Sequence, residues 1–334
     1  MKDHTTSIEH EILKLLKSHS DSYLSGQTLS KAFGISRTAI WKHINAIKAM
    51  GYDIEASPAK GYRLNIQKLP FNVIEISSNL KTSFVGRELS FHKDLNSTND
   101  TARELASKGA KEGFAVVADS QTKGKGRLGR RWESPASVNI YTSIILRPDM
   151  PPAHAPQLTL VAAVAVAETI SKFLNNGSDC KPEPAVKWPN DILINSKKVA
   201  GILTEMNSET DRINFVIIGI GVNINMTRKM FPEELRPMAT SLKEEIGKEI
   251  SRIDFIQTLY LNLETWYKRY LKHGFESICK AWTGYFNMAG KVVKVRQMDK
   301  AIVGVAMGID DNGELLLREK SGNITRIISG DVEI

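Results

Sequence analysis

The spacing of hydrophobic residues changes along this chain, and that change limits it to a multidomain fold. Near the start, Ile8, Ile12, Leu15 and Leu16 recur at helical spacing. From Ala289 the pattern becomes short and alternating: Val292 to Arg296, Ile302 to Met307, Leu315 to Arg318 and Ile324 to Ile328. Turns at Asp311-Asn312-Gly313 and Ser321-Gly322-Asn323 separate the later runs. The middle mixes helical and strand-like segments. A length of 334 residues allows two or three domains. We set them at 1–65, 66–285 and 286–334.

The first domain reads as a winged helix-turn-helix. After the first helix, Ser25-Gly26-Gln27 leads into a short helix from Thr28 to Phe33. Gly34-Ile35 turns the chain, and Ser36 is placed to cap a third helix reaching Met50. Ile40, Ile44 and Ile47 share its inner face. Thr38, Lys42 and Asn45 lie opposite, with Arg37 in the first turn and Trp41 on the flank. Tyr52 to Glu55 and Gly61 to Leu64 form a wing with Lys60 near its tip. A polar, basic outer face on the third helix points to DNA, with Gln27, Ser36, Arg37, Thr38, Trp41, Lys42 and Lys60 as candidate contacts. A protein-binding module of the same shape is the alternative.

Asn65 to Pro70 is expected to be a linker and Phe71 to Leu80 a helix. A strand at Glu88 to His92 precedes a helix from Ser97 to Ser107, where Ser97 reads first as an N-cap. The functional alternative is that Ser97-Thr98-Asn99 presents hydroxyls and free N–H groups to a polar ligand. Phe114 to Asp119 and Asn139 to Leu146 read as strands. Between them, residues 123–131 hold five cations (Lys123, Lys125, Arg127, Arg130, Arg131), three glycines (Gly124, Gly126, Gly129) and no acid, and Trp132 closes the run. Such a loop can bend tightly around a small anion, and a phosphate ester fits best. Its Gly-x-Gly-x-x-Gly spelling matches the dinucleotide fingerprint only weakly, because no helix follows. A solvated basic hairpin is the bland reading.

Next comes a helix from about Ala155 to Phe173. Its apolar core, Leu158 to Ala167, is broken by Glu168 and is too short for a bilayer, so it reads as a buried helix. Val186 through Asp191 and Lys198 through Glu205 then frame a turn at Ser196-Lys197. Lys198 heads an otherwise apolar run, so it either snorkels from a strand end or aims a cation into a site. Ile213 to Ile220 ends in Gly221-Val222-Asn223, where glycine implies close backbone approach. Helices are expected at Pro232 to Glu245 and Ile253 to Tyr270. Lys and Arg number 9 against 6 Asp and Glu in residues 1–65, and 7 against 7 in residues 286–334. The excess lies in the first domain and the loop; the last domain has no net charge, which argues against nucleic-acid binding there. Two cysteines, Cys180 and Cys279, have no metal spacing and fit a reducing cytoplasm.

Together, Ser25-Gly26-Gln27, Ser36 through Ile44, Ser97-Thr98-Asn99, Gln121 through Trp132, Lys187 through Asp191, Lys198 through Leu203 and Gly219 through Asn223 resemble the bifunctional biotin protein ligase and biotin operon repressor family, the BirA family. The resemblance covers nearly the whole chain. It implies an α/β multidomain fold: an N-terminal winged helix-turn-helix, a central α/β mixed-sheet domain of the biotin/lipoate-ligase type, and a C-terminal SH3-like β-barrel. It implies ATP and biotin as substrates, Mg²⁺ with the nucleotide, and no permanently bound cofactor. The partners it implies are a biotin carboxyl carrier protein, operator DNA and, with biotinyl-5′-AMP bound, a second copy of the chain; no membrane is expected.

By the same resemblance, Ser97, Thr98, Asn99 and Gln121 surround the ureido ring, and Lys125, Gly126 and Arg127 fold over biotin. Lys198 and Arg127 are the catalytic cations. Arg130, Trp132, Asn190, Asp191 and Asn223 belong to the nucleotide end, with Trp132 on adenine. Metal ligands are unassigned. Members often carry arginine where this chain has Lys125 and Leu128. A lipoate ligase fused to a DNA-binding module, or a non-enzymatic sensor on a ligase scaffold, are the competing readings. The charged loop and the polar Ser97-Thr98-Asn99/Gln121 set argue against the first, and the presence of Arg127 and Lys198 argues against the second.

Overall fold

The computed structural model describes residues 8–175, 182–297 and 300–333. It divides into two compact units, Met1–Ser78 and Asn79–Ile334.

In the first unit, α1 (Ile8–Ser18), α2 (Gly26–Phe33) and α3 (Arg37–Ala49) precede a two-stranded wing, β1 (Ile54–Ser57) and β2 (Gly61–Leu64). Ser25 Oγ accepts from Thr28 N–H and Ser36 Oγ from Ala39 N–H, so both expected caps form. Each contributes about 1 kcal/mol. Ile12, Leu13, Leu16, Ile40, Ile44 and Ile47 make the core; Ile8, expected on that face, is exposed at the start of α1. The wing is fixed by a bridge in which Leu24 and Tyr62 exchange backbone hydrogen bonds of 2.9 Å each. Gly61, at φ 106°, allows this approach: a Cβ there would lie 2.1 Å from the Leu24 carbonyl oxygen.

A helix was expected from Phe71 to Leu80. The structure gives a 3₁₀ turn at Ile66–Lys68 and only α4 (Val73–Ser77). Asn72 Oδ1 caps Glu75 N–H, which starts the helix later. Glu75 is buried in this unit, where its carboxylate accepts from Lys17 Nζ at 2.7 Å and from Tyr52 Oη at 2.5 Å. That pairing explains why the compact unit extends past residue 65.

The second unit opens with β3 (Leu89–Leu95), α5 (Thr98–Ser107), β4 (Ala115–Gln121), β5 (Ile140–Leu146) and α6 (Gln157–Leu174). Then follow β6 (Ala185–Lys187), β7 (Asp191–Ile194), β8 (Lys197–Ser208), β9 (Ile213–Val222), α7 (Leu242–Ile246), α8 (Arg252–His273) and α9 (Glu276–Tyr285). Seven strands make a mixed sheet in the order β3-β4-β5-β9-β8-β7-β6, in which β3 and β4 are parallel and the other pairs antiparallel. Alternation along β9 sorts the faces. Phe215 and Ile217 pack with Ala102 and Ala106 of α5. The residues between them serve the other face, where Thr142, opposite Ile220, hydrogen-bonds Tyr260 of α8 at 2.7 Å. Thr204, opposite Ile218, is 2.8 Å from Thr159 of α6.

The helix expected from about Ala155 to Phe173 forms and is buried, although Pro152–Leu174 as a whole is long and apolar enough to cross a membrane by length and composition. Burial of 72% of its apolar window inside the fold gives the apolar sequence another cause. The Pro232 to Glu245 helix is replaced. Pro237 interrupts it, leaving a 3₁₀ turn at Glu233–Leu235 that Pro232 precedes, and α7 after the Ser241 cap. The turn between β7 and β8 is Asn195-Ser196, one residue earlier than expected, with φ 49° and 64°. Positive φ at both positions suits a tight hairpin. Helix α9, which buries Ile278 and Trp282, was not foreseen.

The last strands, β10 (Val292–Gln297), β11 (Lys300–Ile309), β12 (Leu315–Arg318), β13 (Ile324–Ile327) and β14 (Asp331–Glu333), form an antiparallel sheet in the order β13-β12-β11-β10-β14. The strand β14 is additional to the expected set; three residues carry no periodic signal. Cys180 lies outside the described residues, and the Cys279 thiol is pushed up to about 11, chiefly by burial.

Candidate functional site

A cavity of about 600 Å³ opens on the α5 face of the large sheet. Its floor follows from sequence alternation. In Gly219-Ile220-Gly221-Val222 the aliphatic residues enter the core and the glycines face the cavity. Gly201 of β8 pairs with Gly221, so two glycines lie side by side. A Cβ on Gly221 would stand 2.6 Å from the Trp132 indole, and one on Gly201 3.0 Å from it. A Cβ on Gly219 would stand 2.0 Å from Asn99 Oδ1. The expected close approach at these glycines is therefore to side chains of the cavity itself.

Every residue singled out for ligand binding or catalysis lines this one cavity, from Ser97 to Asn223. At one end the groups are neutral and buried. Ser97 occupies the N-cap position of α5 with Asp100 in the first turn, as expected, but its side chain makes no capping bond. Gln121 does that work instead: Oε1 accepts from Thr98 N–H at 2.8 Å and lies 3.2 Å from Thr98 Oγ1. Gln121 Nε2 donates to Ser134 Oγ at 3.0 Å. Asn99, only 4% exposed, is engaged at both amide atoms: Oδ1 accepts from Ser143 at 2.6 Å and Nδ2 donates to Glu205 at 2.7 Å. Its polar atoms hold α5 to the sheet. Ser134, Ser143 and Glu205 were not anticipated, and no local motif marks them.

At the other end the groups are charged. The loop closes as a hairpin, with Gly126 N–H donating to Arg130 O at 2.7 Å and Trp132 N–H to Gly124 O at 2.9 Å. Lys125 Nζ is 2.5 Å from Asp100. Arg127 donates to Asn190 Oδ1 at 3.1 Å and to Gly330 O at 3.4 Å. Asn190 is held by donating to Ile202 O at 2.8 Å. Arg130 donates to Asp331 of β14. Lys198 folds back over Gly201: Nζ is 2.7 Å from Asp191 and 5.2 Å from the Trp132 ring centroid. Lys198 lines the cavity with its side chain. Its backbone is fixed by Lys198 N–H to Met238 O at 2.8 Å and Thr240 N–H to Lys198 O at 2.9 Å. Asn223 is buried and donates to Thr240 O at 3.0 Å, tying the strand exit to that segment.

Asp331 and the Phe231–Ala239 stretch complete the wall and were missed. Leu128, at the loop tip, is 76% exposed at φ 55°. Among the described residues, no three His, Cys, Asp or Glu side chains group as a metal site. Asp191 is paired with Lys198, so the donors do not fit a resident metal.

In the first unit, Gln27, Ser36, Arg37, Thr38, Trp41, Lys42 and Lys60 are all exposed. Trp41 shows 56% of its surface. Lys60 and Arg63 lie 5.7 and 4.8 Å from the Tyr23 ring centroid, which gathers the wing cations.

Comparison with known proteins follows the same division. The profile of the biotin/lipoate A/B protein ligase family matches residues 92–223. An HTH domain profile matches 9–63, and a biotin protein ligase C-terminal domain profile matches 289–334. The chain is 44% identical over 329 residues to the bifunctional ligase/repressor BirA of Bacillus subtilis, covering 98% of this chain and 99% of that protein. Identity to the Escherichia coli protein of the same name is 32% over 338 residues, covering 100% and 98%. The solved biotin protein ligase of Aquifex aeolicus in complex with biotin and ATP superposes with a TM-score of 0.63 at 29% identity, covering 74% of this chain and 98% of that one.

Proposed function

The chain belongs to the bifunctional biotin protein ligase and repressor family, and from that premise we propose how its residues carry the two activities. It is an ATP-dependent biotin protein ligase with a DNA-binding repressor domain. In the first half-reaction a biotin carboxylate oxygen bonds to the α-phosphorus of ATP and the bond to pyrophosphate breaks. In the second, a carrier-protein lysine amine attacks the biotinyl carbonyl and AMP leaves.

The observation that carries the residue assignment is that one cavity joins a neutral, hydrogen-bonded end to a cationic end. Thr98 and Gln121 suit the ureido ring, with Ser97 beside them and Asn99 holding the wall. Lys198 and Arg127 are assigned to the junction of carboxylate and α-phosphate. There an anion attacks an anion, and preorganised cations stabilise the charge that develops. Lys125 and Gly126 cover biotin, while Arg130, Asn190, Asp191 and Asn223 serve the nucleotide. The Trp132 indole is in contact with Gly201 and Gly221 of the cavity floor, which suits a role beside a planar ligand. Loop closure would also keep water from the mixed anhydride. Mg²⁺ is assigned to the triphosphate, held mainly by phosphate oxygens and water as a hard cation prefers.

The modules are assigned as 1–65 for DNA, 66–285 for ligation and 286–334 as an SH3-like cover at the site's edge. Adenylate-dependent pairing of two copies would present two α3 helices to a palindromic operator. A cytoplasmic location fits both partners. The test is ATP–pyrophosphate exchange with biotin or lipoate offered separately. Biotin-dependent exchange is expected. Exchange supported by lipoate alone would overturn the substrate, and exchange with neither would overturn the enzymatic reading.

A further inference from the structure

The cations that the ligation reading assigns to substrate charge are each matched here by a carboxylate of the protein. Lys125 has Asp100 and Lys198 has Asp191, at 2.5 and 2.7 Å. The loop arginines have Asp331, which belongs to a different sheet. Arg130 donates to Asp331 Oδ2, and Arg127 Nη1 lies 3.9 Å from Oδ1.

The delivery of Asp331 is specific. The strand β14 is a three-residue edge strand paired only with β10, and it is anchored by Val332, which is buried. Gly330 precedes it at φ 155°, where a Cβ would lie 2.6 Å from Val295 Cγ1 and 2.9 Å from Arg296 O. Only glycine lets the chain turn this closely, and the turn brings the carboxylate to the cavity rim. The Gly330 carbonyl also accepts from Arg127. Arg130 is well exposed, so the ion pair adds little to folding stability. Its effect falls instead on whatever else those guanidinium groups bind.

We propose that Asp331 is a built-in competitor for nucleotide phosphate at Arg127 and Arg130. Phosphate and carboxylate use the same planar donors, so nucleotide binding is an exchange of one anion for another. The C-terminal sheet thereby sets the affinity of a site whose chemistry lies on the large sheet. This inference rests on the ligation reading, which assigns both arginines to phosphate.

Asp331→Asn keeps an oxygen acceptor and removes the charge. In biotin-dependent ATP–pyrophosphate exchange with the full chain, it is expected to lower the KM for ATP about tenfold, the size of a unit charge removed near the surface. Asp331→Glu, which retains the charge, should return KM to the parent value. An unchanged or higher KM for Asp331→Asn overturns the proposal; a higher one would make Asp331 a positioning residue for the arginines. Inorganic tripolyphosphate, titrated calorimetrically into the same chains without biotin, gives an answer independent of the reaction. Tighter binding by Asp331→Asn supports competition, and equal or weaker binding overturns it. Absence of exchange in the parent would count against the ligation reading while leaving that titration decisive.

Discussion

The two ends of the cavity are built on opposite plans. At the α5 end, Thr98, Asn99, Gln121 and Ser143 are uncharged and largely buried, and they are hydrogen-bonded to one another or to the sheet. At the loop end, Lys125, Arg127, Arg130 and Lys198 are partly exposed and paired to carboxylates from three separate elements, Asp100 of α5, Asp191 of β7 and Asp331 of β14. Buried neutral networks are rigid because any lost bond leaves an unsatisfied group. Exposed ion pairs are weak and exchangeable. A site of this design can fix the shape of a small molecule at one end and accommodate changing charge at the other.

The largest expected effect tests the charged end directly. Lys198→Ala should reduce adenylate formation by about 10³-fold, as for a cation at a developing charge, with the fold intact by circular dichroism. A variant that forms adenylate at the parent rate would remove Lys198 from the chemistry. Next is the neutral end. Gln121→Ala leaves Thr98 N–H without its acceptor and should weaken biotin binding by roughly a hundredfold, since a buried unpaired donor adds to the lost contact. Calorimetry would detect this, and little change would mean the neutral end does not fix the ligand.

A third test separates charges that hold the fold from charges that serve the site. Glu264 of α8 accepts from the backbone N–H groups of Ser83, Phe84 and Val85 and from Lys268. Burial alone would raise its pKa, but Lys268 and those N–H groups outweigh burial and hold it at about 2. Its ordinary value is 4.5. The depressed pKa means that its stabilisation is present above pH 4.5 and is lost as pH falls through about 2. Glu264→Gln should therefore cost about 2 kcal/mol at pH 7, with the gap to the parent narrowing below pH 4.5 in chemical denaturation. Asp331→Asn should show no comparable loss of stability. The smallest effect is expected at the loop tip. Leu128→Gly removes a side chain from a left-handed position and should stabilise by less than about 1 kcal/mol with little change in exchange.

Much of this was legible in the sequence. The three hydrophobic patterns gave the winged helix-turn-helix, the mixed α/β region and the terminal strands, because periodicity is a local property of which face is buried. The glycine loop and the Lys198 run declared themselves by composition. What misled was also local. The 232–245 segment looked helical although Pro237 lies within it. Ser97 looked like a cap because a cap position is defined by the backbone. A distant glutamine supplied the bond instead.

Asp331 shows the limit most clearly. Nothing near it in sequence distinguishes it from other acidic residues of the last domain, and its partners are about 200 positions away, at a separation of 201 residues for Arg130. The sequence by itself determined the element types, the site's cations and the glycines beneath them, since these depend on residue chemistry and short-range spacing. Only the tertiary structure decided which carboxylate meets which cation and which amide is already engaged. Those pairings arise from strand order and register, which bring together residues far apart along the chain.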